Sequence, residues 1–166
     1  MRYSAAMSNV VIPRFGELLS PYISQVPPEI SPRFLALLER GAASRYRGWA
    51  EMLPEHAEGL MRCAAAEDEI ADRIEAAFPM DESRRAELEA PLPGALKTYY
   101  DVFAPLDVWD QLRIQANAER QGAGAWERIA GSHPDAKVIE ALNSCSALEL
   151  TSADYLDALL AEHDGR

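Results

Sequence analysis

The strongest constraint on how this chain folds is that it repeats itself. Residues 63–76 align without gaps on residues 145–158, and six of the fourteen positions are identical: Cys63/Cys145, Ala65/Ala147, Glu67/Glu149, Ala71/Ala153, Asp72/Asp154 and Ala76/Ala158. Ile74/Leu156 and Glu75/Asp157 are conservative pairs. A second alignment places residues 39–46 on residues 119–126 and keeps Glu39/Glu119, Arg40/Arg120 and Ala43/Ala123. Alanine-rich helices generate chance matches, so either alignment alone would say little. Both occur in the same order in each half, which is what a duplicated helical hairpin leaves behind.

Punctuation by proline and glycine sets the rest of the plan. Pro13, Pro21, Pro27, Pro28 and Pro32 make residues 1–31 an arm with room for one short helix near Phe15 to Ile23. Ser31 followed by Pro32 reads as an N-cap and first helical residue, opening a helix that reaches Met52 before Pro54. A second helix follows at once and ends at Pro79. Residues 79–105 form a long crossover with helical turns near Glu82 to Glu89 and Ala95 to Phe103. A third helix runs from about Leu106 to Ala130 and stops at Gly131, and a fourth runs from Ala136 to Ala161. The prediction is an all-α chain: an arm over 1–31, a four-helix bundle of two repeated hairpins over 32–161, and a polar tail over 162–166.

Within that plan four glutamates fall together. Glu39 and Glu67 are equidistant from position 53, beside the Pro54 turn, and Glu119 and Glu149 are equidistant from position 134 at the second turn. Residues equidistant from the turn of an antiparallel hairpin lie at the same height, so the four share one layer if the hairpins pack about a pseudo-twofold. Each also interrupts an apolar seam once. The second helix spaces Leu60, Cys63, Glu67, Ile70 and Ile74 by three and four residues, and the fourth spaces Leu142, Cys145, Glu149, Ser152 and Leu156 likewise. A buried carboxylate without a partner is costly, so the layer needs a physical reason.

With this topology, repeat and acid layer the chain resembles the ferritin-like superfamily, in the style of rubrerythrins, over about residues 32–161. The resemblance implies a dinuclear iron or manganese centre with Glu39 and Glu119 as the single glutamates and Glu67 and Glu149 as the glutamates of the two Glu-x-x-His pairs. The chain departs from that pattern at both histidines, where Ile70 and Ser152 stand. None of His56, His133 and His163 replaces them: His56 lies about 16 Å before Glu67 at ~1.5 Å per residue, and the others fall in a turn and the tail. These histidines are expected to be solvent-facing or structural.

Two functions follow. The leading expectation is a degenerate carboxylate site, metal-free or weakly metal-binding, in a non-catalytic binding or interaction bundle. Its acids would be protonated, hydrated or paired with an arginine such as Arg45 or Arg113. The alternative is a divergent dinuclear iron or manganese carboxylate oxidoreductase, with Ser152 and Tyr46 beside the ligands; carboxylates without imidazole suit harder ions. Cys63 and Cys145 are expected to be free thiols that fill the core as small apolar groups. The net charge of −11 argues against nucleic acid and against an anionic membrane surface. The expected setting is cytoplasmic, with a small-molecule or protein partner, or a homodimer formed through the arm and crossover.

Overall fold

Proline marks the helix ends in the computed structural model, which describes residues 8–166 and has no strand among them. Helix α1 (Phe15–Ile23) lies in the arm, whose first seven residues fall outside the described ones. Helix α2 (Ser31–Met52) stops before Pro54, a single 3-10 turn (Pro54–His56) reverses the chain, and α3 (Ala57–Ala77) stops before Pro79. The crossover carries a 3-10 turn (Glu82–Arg84), α4 (Arg85–Glu89) and α5 (Leu92–Phe103). Helices α6 (Val108–Ser132) and α7 (Ala136–Asp164) complete the chain. No helix among the described residues is long and apolar enough to cross a membrane.

Helix α5 starts at Leu92 and not at Ala95, and α6 starts at Val108 behind the Asp107 cap and not at Leu106; three further boundaries also differ from the sequence reading. Ser31 is the first residue of α2 and not its N-cap: its hydroxyl donates to the Pro28 carbonyl at 3.1 Å. Turn hydrogen bonds from Ile30 to Pro27 and Ser31 to Pro28 already coil the backbone there, so the helix starts early. Gly131 does not end α6, which continues to Ser132. The stop comes at His133, held extended by the proline that follows. Helix α7 runs to Asp164, where Arg113 of α6 pairs with the Asp164 carboxylate. Its other end is capped by Asp135, whose carboxylate accepts from the amides of Lys137 and Val138.

Helix α2 packs along α3, and α6 along α7, each pair joined by a tight turn and therefore antiparallel. The pairs meet through α3 and α7, whereas α2 and α6 stay apart at the centre. Helices α1 and α5 pack on each other and against the open side. The glutamate layer divides the core. On one side lie Tyr46, Trp49, Leu60, Cys63, Leu112 and Leu156, with Phe15, Leu19 and Phe103 of the covering helices. On the other lie Ala36, Ile70, Ile74, Trp126, Leu142 and Cys145. The two cysteines are buried, free and on opposite sides of the layer.

Gly59 shows how tight the α3–α7 contact is. A Cβ there would lie 2.0 Å from the Tyr155 hydroxyl oxygen and 2.1 Å from Cζ of that ring. Gly59→Ala is therefore expected to lower the melting temperature. Overpacking costs about 1–3 kcal/mol, against ~0.5–1 kcal/mol of helix propensity gained. Adding Tyr155→Leu should restore stability; a melt that never fell would place the ring elsewhere.

Candidate metal centre

Each of the four long helices contributes one glutamate to the layer: Glu39 from α2, Glu67 from α3, Glu119 from α6 and Glu149 from α7. One oxygen each of Glu39, Glu67 and Glu149 lies within 4.8 Å of the others. Glu119 sits in hydrogen-bonding reach of Glu67 and Glu149, and Glu39 in reach of the same two. Glu67, Glu119 and Glu149 are 1%, 1% and 2% exposed. Glu39 is half-buried because it faces a cavity, yet protein surrounds it closely enough for desolvation to dominate its chemistry.

Burial is the largest cause of every resolved shift in the layer. It pushes Glu39 up to about 7, partly offset by its neighbours Glu67, Glu149 and Arg45. Glu67 and Glu149 are raised well above the usual carboxylate range, first by burial and then by the charges of the other glutamates. Without a cation, burial therefore favours the protonated forms of Glu39, Glu67 and Glu149.

Hydrogen-bond donors fix how the carboxylates point. The Tyr46 hydroxyl and the Gln115 amide nitrogen (2.9 Å) both donate to Oε1 of Glu119. The Trp126 indole N–H donates to Oε1 of Glu149 at 3.0 Å. Burial and the adjacent Glu119 charge raise the Tyr46 phenol well above its ordinary value, so it remains a donor. Oε2 of Glu67 and Oε2 of Glu119 are buried with no hydrogen-bond partner among the described residues. Gly122 makes room for the layer: a Cβ there would stand 2.6 Å from Glu149 Oε1.

The gap between α2 and α6 is a cavity of about 640 Å³ whose floor is the glutamate layer. Leu35, Leu38 and Ala42 of α2, Ala118 and Ala125 of α6, and Leu19 and Ile23 of α1 give it apolar walls. Exposed Arg14, Gly16, Glu17 and Arg128 flank its mouth. Arg45 lines it too, lying over the Tyr99 ring at 4.4 Å and donating to Gln115 Oε1 at 3.3 Å. Gln121 pins the arm to this rim, accepting from the Phe15 amide and donating to the Pro13 carbonyl.

The four glutamates named from the sequence thus stand together, and Tyr46 touches the layer. Ser152 is buried, but its hydroxyl lies against the Cys63 thiol, and Ile70 is core. Neither Arg45 nor Arg113 forms an ion pair with the layer: Arg113 pairs with Asp110 and Asp164. The histidines lie apart from it, His56 and His163 against Trp109 and His133 against Phe78. Sequence reasoning missed Gln115, Trp126 and Gly122 as parts of the site. Gln115 carried a signal, because it sits one turn before Glu119 on the same seam.

No protein-family model matches the chain. No curated protein sequence matches it. No solved structure matches it.

Proposed function

We propose that this protein is a divergent ferritin-like four-helix bundle of two repeated hairpins, whose all-carboxylate layer binds divalent metal beside a small-molecule cavity. The observation that carries this reading is the pair of buried, unpartnered carboxylate oxygens, Glu67 Oε2 and Glu119 Oε2, in a layer that forms no ion pair with a basic side chain among the described residues. Leaving charged acceptors buried and unmatched is costly, and a cation removes the penalty. The donor set fits such an ion. Four carboxylates supply hard oxygen ligands, and Tyr46, Gln115 and Trp126 each occupy Oε1, which leaves the second oxygen of Glu119 and Glu149 free of those donors.

Glu39, Glu67, Glu119 and Glu149 would hold manganese, iron or magnesium. A manganese or iron ion there supplies redox chemistry, and magnesium supplies Lewis-acid chemistry. The chain's own residues contribute the rest. Tyr46 and Gln115 orient Glu119, Trp126 orients Glu149, and the apolar walls exclude water from whatever occupies the cavity.

A metal-free binding bundle is the second reading, favoured by the carboxyl groups standing in hydrogen-bonding reach of one another and able to share protons. Metal content separates the two. Expressed with added manganese and iron and purified without chelator, the protein should retain one to two equivalents by mass spectrometry, and a Glu67→Ala/Glu149→Ala variant should retain none while keeping its helical circular dichroism. Equal, trace metal in both proteins would remove the metal reading and leave the proton-sharing one.

A further inference from the structure

We propose that the cavity beside the carboxylate layer takes the aliphatic chain of a medium-length monocarboxylic acid, with its carboxylate on the Arg45 guanidinium. The proposal rests on the metal-binding reading for its charge balance, and on Arg45 and the cavity walls for its chemistry.

Arg45 is held without an ion pair among the described residues, although its charge is felt by Glu39. Its guanidinium carbon lies 4.4 Å from the Tyr99 ring centroid and 5.0 Å from that of Phe103. Its only hydrogen bond to a side chain among the described residues goes to the neutral Gln115 amide, and Nε is buried without a partner. Two aromatic faces and an amide fix the position of a full positive charge, and neither supplies a counter-charge. Two divalent ions would balance the four glutamates, leaving the Arg45 charge uncompensated beside the apolar walls of the cavity. One additional negative charge balances it, and a carboxylate matches the planar fork of the guanidinium.

The position of Arg45 sets the direction of the ligand. Gln115 bridges Arg45 to Glu119, so an acid head group on Arg45 lies next to the glutamate layer. The chain then runs along Leu38, Leu35, Leu19 and Ile23, which offer no hydrogen bonds to a sugar or a nucleotide. The volume of about 640 Å³ falls in the range that encloses a small organic ligand. Arg14 at the mouth is paired with Glu17 at 3.1 Å, so Arg128 is the mouth residue that offsets part of the repulsion a chain of net charge −11 would exert on an anion.

The test is calorimetric titration of decanoate into manganese-treated protein, with manganese counted in the same sample. The native protein should bind one decanoate, and Arg45→Gln should weaken it about tenfold or more through loss of the charge-assisted pair. Ala118→Phe, which fills the cavity and leaves the charge, should weaken binding comparably. Decan-1-ol and decylamine should bind about tenfold or more weakly than decanoate, having no charge for the guanidinium or the wrong one. Circular dichroism verifies that each variant is folded. No binding of decanoate, or equal binding by folded Arg45→Gln, overturns the proposal even where manganese is retained. Arg45-dependent binding without retained manganese supports the acid site and removes the metal-binding reading instead.

Discussion

Stripped of divalent ions, this protein should melt at a higher temperature at pH 5.5 than at pH 7.5, the reverse of what salt-bridged carboxylates produce. Glu39, Glu67 and Glu149 are all raised in the folded state, Glu39 to about 7, with burial the first cause. A raised carboxyl binds its proton more tightly folded than unfolded. Its contribution is fully present below the unfolded value, near 4.5, and is lost as pH rises through the folded value. The window is therefore about 4.5 to 7 for Glu39 and opens upward from 4.5 for the other two. Exposed acids such as Asp81, Glu82 and Asp164 are held low and act oppositely, but they do so only as pH falls through a more acidic range. Each kcal/mol moves the melting point of a chain this size by about 2–4 °C, so a shift of several degrees is expected. Glu67→Gln/Glu149→Gln should flatten the slope and raise the melting point at pH 7.5, because an amide keeps the hydrogen bonds without the buried charge. Added manganese should invert the slope for the native protein, since the ion binds the ionised carboxylates. A chelated protein that instead grows steadily more stable from pH 5.5 to 7.5 would show that the layer is ionised and balanced by something else.

The layer was legible in the sequence because its placement depends on two local signals. Proline fixes both hairpin turns, and the three- and four-residue seams say which side of each helix is buried. Together they put Glu39, Glu67, Glu119 and Glu149 at one height and facing inward. What could not be read is what depends on the spacing between hairpins. Nothing in the periodicity of α2 or α6 says that these two helices stay apart while α3 and α7 close, and the cavity exists only because of that difference. The aromatic donor to Glu119 is Tyr46 from the opposite hairpin, whereas Trp126, aligned with it in sequence, serves Glu149 within its own hairpin. The repeat is thus approximate at the site, and symmetry would have paired these residues wrongly. The seam places Ser152 inward, and the neighbour its hydroxyl meets there is the Cys63 thiol. The prolines of the arm place its one helix at Phe15–Ile23, but nothing in the sequence says that this helix supplies Phe15, Leu19 and Ile23 to the cavity wall.

On the proposed metal reading, Gly122→Ala should abolish manganese binding and leave the helices intact. Gly122 lies in the middle of α6, where alanine is the better helix former by about 0.5–1 kcal/mol. A stability measurement on chelated protein should therefore show little loss. The new Cβ would stand 2.6 Å from Glu149 Oε1 and 3.0 Å from its Cδ, closer than carbon and carboxylate tolerate. The carboxylate must turn away, and turning breaks the Trp126 hydrogen bond that aims it into the layer. Disturbing the group that orients a ligand costs roughly 10–100-fold in metal affinity, and a displaced ligand should cost at least as much. Gly124→Ala is the control two residues along the same helix: its Cβ would meet only the Arg128 guanidinium at 3.4 Å, and manganese affinity should stay near the native value. Manganese titration of the two variants decides the matter. Equal, native-like affinity in both would mean that Glu149 does not hold the ion, while selective loss in Gly122→Ala would tie metal binding to the position of one carboxylate.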